Sequence, residues 1–93
     1  MEFEWDENKR LLNLEKHGID FIALARRIFD GRPVFTYLSP RNNEERWCTV
    51  GYLNERFFVV VWTERERRTR IIAAYRADDW EIREYKNLFG GGA

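Results

Sequence analysis

The segment RFFVVVWT, residues 56–63, holds six consecutive apolar residues from Phe57 to Trp62. A strand with one face in water alternates apolar and polar residues, whereas an unbroken apolar run is typical of a strand covered on both faces. The run consists of valine and aromatic residues, which favour strands. We therefore predict that this segment is the central strand of a sheet with protein layers on both sides.

Three further segments have the composition of strands and flank this one in the sequence. They are VFTYL (34–38), RWCTVGYL (46–53) and TRIIAAYR (69–76). The short connections at Asn54-Glu55 and at ERERR (64–68) favour hairpins, which join antiparallel strands. The four segments together predict a small antiparallel sheet.

The N-terminal segment has the signals of a helix over about residues 7–17. Asp6 is a candidate N-cap, and Gly18 is suited to end the helix in the left-handed conformation. In this helix we expect Leu11 and Leu14 to face the core.

Two more helices follow from capping signals and apolar spacing. One begins after Asp20 and has an apolar stripe at helical spacing, formed by Phe21, Leu24, Ala25, Ile28 and Phe29. Asp78 and Glu81 have the spacing of a capping box, which predicts a C-terminal helix over about residues 79–89.

The length and the order of these elements indicate one small α+β domain. With FEW (3–5) as a first short strand, the order is β-α-α-β-β-β-β-α, so that two N-terminal helices and a C-terminal helix pack on the sheet. A chain of 93 residues that is 44% hydrophobic can bury one core. We assign residues 1–89 to this domain and interpret GGGA, residues 90–93, as a flexible tail.

The sequence has features of a cytoplasmic protein without a metal. No apolar run approaches the roughly 20 residues of a transmembrane helix, and the acidic N-terminal segment lacks the features of a secretory signal. The chain contains one cysteine and one histidine, which support neither a disulfide nor a Cys/His zinc site. We expect no membrane contact and no cofactor.

The formal net charge is zero, but the arginines are unevenly distributed. Residues 46–76 contain seven arginines and three glutamates. The guanidinium group is suited to bidentate contacts with phosphate or carboxylate, so this excess points to a phosphate-bearing or acidic partner. A solvated surface explains the excess equally well.

His17 has two interpretations. At the last turn of a helix, before Gly18, a histidine interacts favourably with the negative end of the helix dipole, which explains the motif KHG without any catalysis. A catalytic role is the alternative, because Lys9, Asn13 and Lys16 or His17 recur at helical spacing along one polar face.

The last hairpin holds the other candidates for chemistry. Glu64 beside Arg65 can act as a general base while guanidinium groups stabilise a pentacoordinate phosphate, although charged turns are common. The two-residue period puts Arg70 and Arg76 on one side of their strand, roughly 20 Å apart at ~3.3 Å per residue, where they could line a groove for several phosphates. Tyr75 is a candidate for stacking on bases.

Three segments of the chain resemble the BrnT family of bacterial type II toxins. They are EWDENKRLLNLEKHGIDF (4–21), EERWCTVG (44–51) and VVVWTERERRTRIIAAYRAD (59–78). The most specific part is the signature W-D-x-x-K-x-x-x-N-x-x-K-H-G, and the motif E-x-R-x-x-x-x-G is met by Glu44, Arg46 and Gly51. The resemblance covers about residues 3–85.

This resemblance implies a fold similar to RelE-type ribonucleases and a toxin that blocks translation and growth. Such enzymes cleave RNA without a metal, by attack of a 2′-hydroxyl on the adjacent phosphate. The implied partner is a cognate BrnA-like antitoxin of the ribbon-helix-helix type, and DNA is contacted only through it. A stand-alone DNA-binding module is disfavoured, because no helix is basic enough for a major groove.

Carried over by position, the resemblance implies two sets of site residues. The catalytic set is His17, Lys16, Glu64, Arg65 and Arg76. The RNA-binding set is Lys9, Arg46 and Arg70, to which Tyr75 is added as the candidate for stacking on bases rather than by the resemblance. Tyr75 stands where the family typically has an arginine, and this departure favours the alternative function of an antitoxin-binding protein with little or no ribonuclease activity.

Overall fold

The computed structural model describes residues 1–90. Its elements are β1 (Phe3–Trp5), α1 (Glu7–His17), α2 (Phe21–Ile28), β2 (Val34–Leu38), β3 (Trp47–Leu53), β4 (Arg56–Arg65), β5 (Arg68–Arg76) and α3 (Asp79–Phe89). This order confirms the predicted α+β fold. No helix within the described residues is both long and apolar enough to cross a bilayer.

The predicted tail is described only at its first residue. Gly90 is the C-cap of α3 and has a positive φ of 79°, so it belongs to the end of the helix. Residues 91–93 lie outside the described residues. The assignment of residues 1–89 to a single domain stays a prediction.

The five strands form one mixed sheet in the order β1-β5-β4-β3-β2, with β4 at the centre. The pairs β2–β3, β3–β4 and β4–β5 are antiparallel, whereas β1 pairs with β5 in parallel. The prediction of an antiparallel sheet is therefore wrong for β1. Two helices and three strands separate β1 from β5 along the chain, so no tight turn sets their relative direction.

Two-residue turns connect the central strands. Asn54 and Glu55 join β3 to β4 with φ values of 52° and 64°, and Glu66 and Arg67 join β4 to β5 with φ values of 49° and 69°. Two successive residues with positive φ form the turn whose twist matches that of an antiparallel hairpin. Both predicted hairpins are confirmed.

Protein covers both faces of β4, as its apolar run predicts. Val60 is buried in a cluster with residues of α2, and Val59 is buried on the opposite face with Tyr85 of α3. Gly51 of β3 permits α2 to approach closely, because a Cβ there would lie 2.6 Å from Cδ1 of Ile28.

Side-chain hydrogen bonds fix α3 against the sheet. Glu81 is 1% exposed and accepts hydrogen bonds from the Asp78 backbone N–H and from the Tyr37 hydroxyl of β2. The Tyr85 hydroxyl donates to the carbonyl oxygen of Pro33 at 2.9 Å. The predicted capping box at Asp78 is present.

Helix α1 begins and ends as predicted, but it faces the sheet with a polar residue. Asp6 caps its N-terminus and Gly18, with φ 69°, ends it. Leu11 and Leu14 are 48% and 40% exposed, so the expectation that they face the core is wrong. They project about 200° and 100° around the helix from Asn13, the residue of α1 that is buried against β5.

Asn13 supplies hydrogen bonds that a neighbouring strand would otherwise make. Strand β1 pairs with β5 only as far as Ile71, which leaves the following edge of β5 without a strand partner. The Asn13 carboxamide accepts from the Ala74 N–H at 3.1 Å, donates to the Ala74 carbonyl at 3.0 Å and donates to the Ile19 carbonyl at 3.0 Å. Asn13 thus completes the sheet edge and ties α1 to β5.

We expect Asn13→Ala to lower the free energy of unfolding by about 2–4 kcal/mol, because it leaves buried backbone groups of Ala74 without partners. Asn8→Ala is the matched control, since the Asn8 side chain is exposed and its loss should cost less than about 0.5 kcal/mol. Urea unfolding of both variants measures the difference. Equal destabilisation by the two substitutions would contradict the structural role of Asn13.

A bulge in β5 changes the faces of its residues. Val61 pairs with Ala73 and Trp62 pairs with Ile71, so Ile72 is an extra residue. As a result Ile71 and Ala74, three positions apart, both join the core under α2. The same shift puts Arg70 and Arg76 on opposite faces, and the prediction that they share one side is wrong.

Candidate active site

Three clefts share the bulged residue Ile72 as a lining residue. The arginine cleft, of about 390 Å³, is lined by Lys9, Glu44, Arg46, Thr63, Glu64, Arg65, Arg70 and Ile72. The tyrosine cleft, of about 300 Å³, is lined by Lys16, Ser39, Arg41, Arg46, Cys48, Val61, Ile72, Ala73 and Tyr75. The histidine cleft, of about 220 Å³, is lined by Lys9, Leu12, Asn13, Lys16, His17, Ile72 and Ala73.

Eight of the nine predicted site residues line these clefts. The exception is Arg76, which pairs with Phe58 near the opposite end of the β4–β5 hairpin from Arg65. The bulged residue Ile72 lines all three clefts, where residues of β5 lie together with residues from both ends of α1. The structure therefore brings together most of the predicted residues but not Arg76.

The arginine cleft lies where β4 and β5 approach their connecting turn. Thr63 of β4 pairs with Arg70 of β5, and Glu64 and Arg65 follow at the end of β4. Arg70 donates to Glu4 of β1 at 3.3 Å. Arg65 makes no ion pair with any of residues 1–90. Its exposed guanidinium is thus available to an anionic ligand.

Arg46 lines both the arginine cleft and the tyrosine cleft. Its Nη2 lies 3.9 Å from a carboxylate oxygen of Glu44, and its buried Nε has no hydrogen-bond partner within residues 1–90. A buried donor without a partner costs about 1–3 kcal/mol. An acceptor atom of a ligand that reaches Nε would remove that cost.

The arginine cleft has the groups needed to cleave a phosphodiester. The Glu64 carboxylate can accept a proton, and Arg65, Arg70 and Lys9 supply positive charge in the same cleft. Preorganised cations stabilise the negative charge that develops on a pentacoordinate phosphate. The cleft can therefore combine general-base catalysis with electrostatic stabilisation.

His17 lies in the histidine cleft, apart from Glu64 and Arg65. It is exposed at the end of α1, and its ring centroid lies 6.4 Å from that of Tyr75. Neither imidazole nitrogen has a hydrogen-bond partner in the described part of the chain. Lys9 lines both the histidine cleft and the arginine cleft. A ligand that occupies both clefts therefore lies near His17.

Tyr75 is a neutral, partly buried side chain of the tyrosine cleft. Burial, together with the neighbouring Cys48 and Glu81, raises the pKa of its hydroxyl to about 12. The phenol consequently keeps its proton near neutral pH and does not serve as a base. Its ring remains available for packing or stacking.

A short hairpin between β2 and β3 contributes site residues that the sequence reasoning missed. Arg41 and Glu44 exchange backbone hydrogen bonds of 3.0 and 2.8 Å, and Asn42 and Asn43 between them have positive φ. An Asn-Asn pair is a signal for such a turn, because asparagine tolerates positive φ. This hairpin brings Ser39 and Arg41 to the tyrosine cleft.

The described residues contain no group of three or more His, Cys, Asp or Glu side chains placed to hold a metal ion. Cys48, the one cysteine, is buried and 4% exposed. Four cationic and two acidic side chains line the arginine cleft, and the excess of positive charge disfavours a metal ion there.

Comparison with curated protein sequences finds no match. The family model described as "Ribonuclease toxin, BrnT, of type II toxin-antitoxin system" matches residues 5–81. This range includes α1, the β2–β3 hairpin and all the strands that line the three clefts. The chain therefore belongs to the BrnT family of ribonuclease toxins of type II toxin-antitoxin systems.

Proposed function

We propose that the protein is a metal-independent endoribonuclease that cleaves RNA by attack of a 2′-hydroxyl on the adjacent phosphate, and that it thereby inhibits translation and growth in the cytoplasm. The observation that carries this proposal is the arginine cleft, where Glu64 and Arg65 lie together with Lys9, Arg46 and Arg70. A similarity of the fold to RelE-type ribonucleases stays a prediction.

In the proposed reaction, Glu64 takes the proton of the attacking 2′-hydroxyl. The new O2′–P bond forms as the P–O5′ bond breaks, and His17 gives a proton to the leaving 5′-oxygen. Arg65 and Lys9 stabilise the charge on the phosphate, while Lys16 binds an adjoining part of the chain. The products are a 2′,3′-cyclic phosphate and a free 5′-hydroxyl. Arg76 has no role here, because it lies away from the clefts.

The attacking group can be tested with a single 2′-deoxynucleotide. The substitution on the 5′ side of a mapped cleavage site should abolish cleavage there and leave other sites unchanged, because the nucleophile is part of the substrate. Mass spectrometry of the normal products should find the cyclic phosphate. Unchanged cleavage of the 2′-deoxy substrate would rule out this mechanism.

We expect metal chelation to leave RNA cleavage unchanged within about twofold, because the proposed roles are filled by side chains and no bound ion supplies the nucleophile. The measurement is cleavage of a short labelled RNA with and without EDTA. Loss of cleavage in EDTA, with recovery after addition of one divalent ion, would contradict metal independence.

The alternative function is a toxin-fold protein that binds its antitoxin with little or no ribonuclease activity. Tyr75 is the observation that favours it, since a neutral phenol occupies a position next to Lys16 and Arg46 in the tyrosine cleft. The two functions differ in one outcome: purified protein free of antitoxin cleaves RNA under the first and does not under the second.

We propose that the partner is a cognate BrnA-like antitoxin of the ribbon-helix-helix type, through which alone the complex contacts DNA. Arg56 and Arg76 lie at one end of the β4–β5 hairpin. The other five arginines of residues 46–76 lie at the end with the clefts; they are Arg46, Arg65, Arg67, Arg68 and Arg70. An acidic segment of the antitoxin is expected to cover this second end.

Electrostatic steering by those five arginines should make association with the antitoxin salt-dependent. We expect the association rate constant, measured by stopped flow, to fall by about tenfold or more between low and high salt. Hydrogen exchange should show protection at the β4–β5 turn in the complex. A rate constant independent of salt, with protection confined to residues 20–38, would contradict this surface.

A further inference from the structure

We propose that the tyrosine cleft is a nucleobase subsite that selects guanine next to the scissile phosphate. The inference rests on the proposed ribonuclease function and adds to it the base that the enzyme recognises. The cleft adjoins the arginine cleft, since Arg46 and Ile72 line both. A nucleotide whose phosphate lies in the arginine cleft can therefore place a neighbouring base in the tyrosine cleft.

The walls of the tyrosine cleft suit a flat aromatic ligand. Tyr75 offers an aromatic ring, and Val61, Ala73 and Cys48 add apolar surface. Its volume of about 300 Å³ is at the lower end of the range for small-molecule sites. Stacking of a base on an aromatic side chain is worth about tenfold to 100-fold in affinity.

Tyr75 has neighbouring side chains at both its ring and its hydroxyl. Its ring lies 6.4 Å from the His17 ring of α1, and its hydroxyl neighbours Tyr37 and Cys48 beneath α3. Tyr37 in turn donates to the buried carboxylate of Glu81. A stacking group fixed in this way loses little conformational freedom when a base binds.

The polar groups of the cleft select the base, because they are almost entirely donors. Lys16, Arg41 and Arg46 have no acceptor atoms in their side chains, and no carboxylate lines the cleft. Guanine presents two adjacent acceptors, O6 and N7, to which an arginine binds bidentately. Adenine and cytosine present an amino donor on the same edge, and the only side-chain oxygen acceptors of the cleft are the hydroxyls of Ser39 and Tyr75.

The donors are positioned by a regular backbone rather than by an open loop. The Ser39 N–H donates to the Arg46 carbonyl at 2.7 Å, and Arg41 and Glu44 form a bridge one step further along the hairpin. Arg46 lines both clefts, and its buried Nε has no hydrogen-bond partner within residues 1–90. A ligand acceptor that reaches this atom would satisfy a donor that the protein leaves without a partner.

Short RNAs that differ only in the base next to one cleavage site test this selection. We expect the value of kcat/KM for guanine to exceed that for adenine, cytosine or uracil by about 10- to 100-fold. Replacement of guanine by 7-deazaguanine, which lacks the N7 acceptor, should remove about tenfold of this preference. Equal cleavage of guanine and 7-deazaguanine substrates would overturn the inference.

Two pairs of variants locate the selection in the tyrosine cleft. Arg41→Gln should reduce the preference for guanine to less than about threefold, whereas Arg83→Gln, on the exposed side of α3, should keep it. Tyr75→Leu should weaken binding of all four substrates by about tenfold or more, and Tyr75→Phe should retain binding, because the phenyl ring still stacks. An Arg41→Gln protein with unchanged selectivity would overturn the inference.

Equilibrium binding of 2′-O-methyl RNAs, which cannot be cleaved by this mechanism, separates the subsite from the ribonuclease function. A preference for guanine in binding by a protein that cleaves nothing would support the subsite and refute the proposed function. Cleavage without any base preference would refute the subsite and leave the function intact. Absence of binding and cleavage would refute both.

Discussion

Replacement of His17 by glutamine is expected to lower RNA cleavage by about 10²- to 10⁴-fold, the range for loss of a general acid or base. Glutamine can donate a hydrogen bond but cannot exchange a proton with the leaving 5′-oxygen. The effect should fall on kcat more than on KM, because the interaction lost belongs to the transition state. Single-turnover cleavage of a labelled RNA measures it.

The same substitution should change stability little. His17 is exposed, and Gly18 still ends α1 through its hydrogen bond to the Leu14 carbonyl at 2.8 Å. Loss of an interaction with the helix end costs about 0.3–1 kcal/mol. Glu15→Gln, at an exposed position of the same helix that lines none of the clefts, is the matched control and should retain full cleavage.

An active His17→Gln protein would assign this residue to helix capping alone. The motif KHG allows both interpretations, and the structure places His17 in a cleft adjoining the one that holds Glu64 and Arg65. For His17 to protonate the leaving 5′-oxygen, the RNA must span both clefts, which share Lys9 as a lining residue. Loss of cleavage in the variant would therefore indicate that the substrate enters the histidine cleft, whereas full cleavage would indicate that it does not.

Local signals in the sequence predict most of the fold. The capping residues Asp6 and Gly18 define α1 because their interactions lie within a few residues of the helix ends. The turn at Asn54-Glu55 sets the β3–β4 register in the same local way. The apolar run of β4 predicts that both faces of this strand are buried, and this prediction needs no knowledge of the elements that pack on it. Caps, tight turns and apolar runs are predictable because each is determined by residues only a few positions apart in the sequence.

The errors concern contacts between residues distant in sequence. Leu11 and Leu14 form an apolar pattern, but the open edge of β5 orients α1 through Asn13, 61 residues before Ala74. No periodicity reveals that an amide completes a strand edge. The bulge at Ile72 likewise depends on pairing with β4, and a simple two-residue period therefore put Arg70 and Arg76 on one face.

The candidate site was predicted in composition more than in arrangement. Family resemblance predicted seven of the residues that line the three clefts, and the aromatic ring of Tyr75 predicted the eighth. The resemblance did not predict how these residues are distributed among three clefts, because this distribution depends on the bulge and on the position of α1. Arg41 was missed since its contribution depends on the hairpin that Asn42 and Asn43 form.

Removal of the Arg65 guanidinium in Arg65→Gln is expected to depress cleavage by about 10²- to 10³-fold, as is typical when a preorganised donor to a developing oxyanion is lost. Arg70 and Arg46 interact with Glu4 and Glu44, respectively, whereas Arg65 has no carboxylate partner among residues 1–90. Of the three arginines in this cleft, it therefore has the charge least offset by the protein itself, and its loss should be the most costly.

Arg67→Gln is the matched control for this prediction. Arg67 belongs to the same hairpin and is exposed, but it lies in the turn and lines none of the three clefts. Equal losses in the two variants would mean that RNA responds to the overall charge of the hairpin, and both losses should then shrink as salt rises. A loss confined to Arg65→Gln that persists at high salt would instead require a direct contact between this guanidinium and the reacting phosphate.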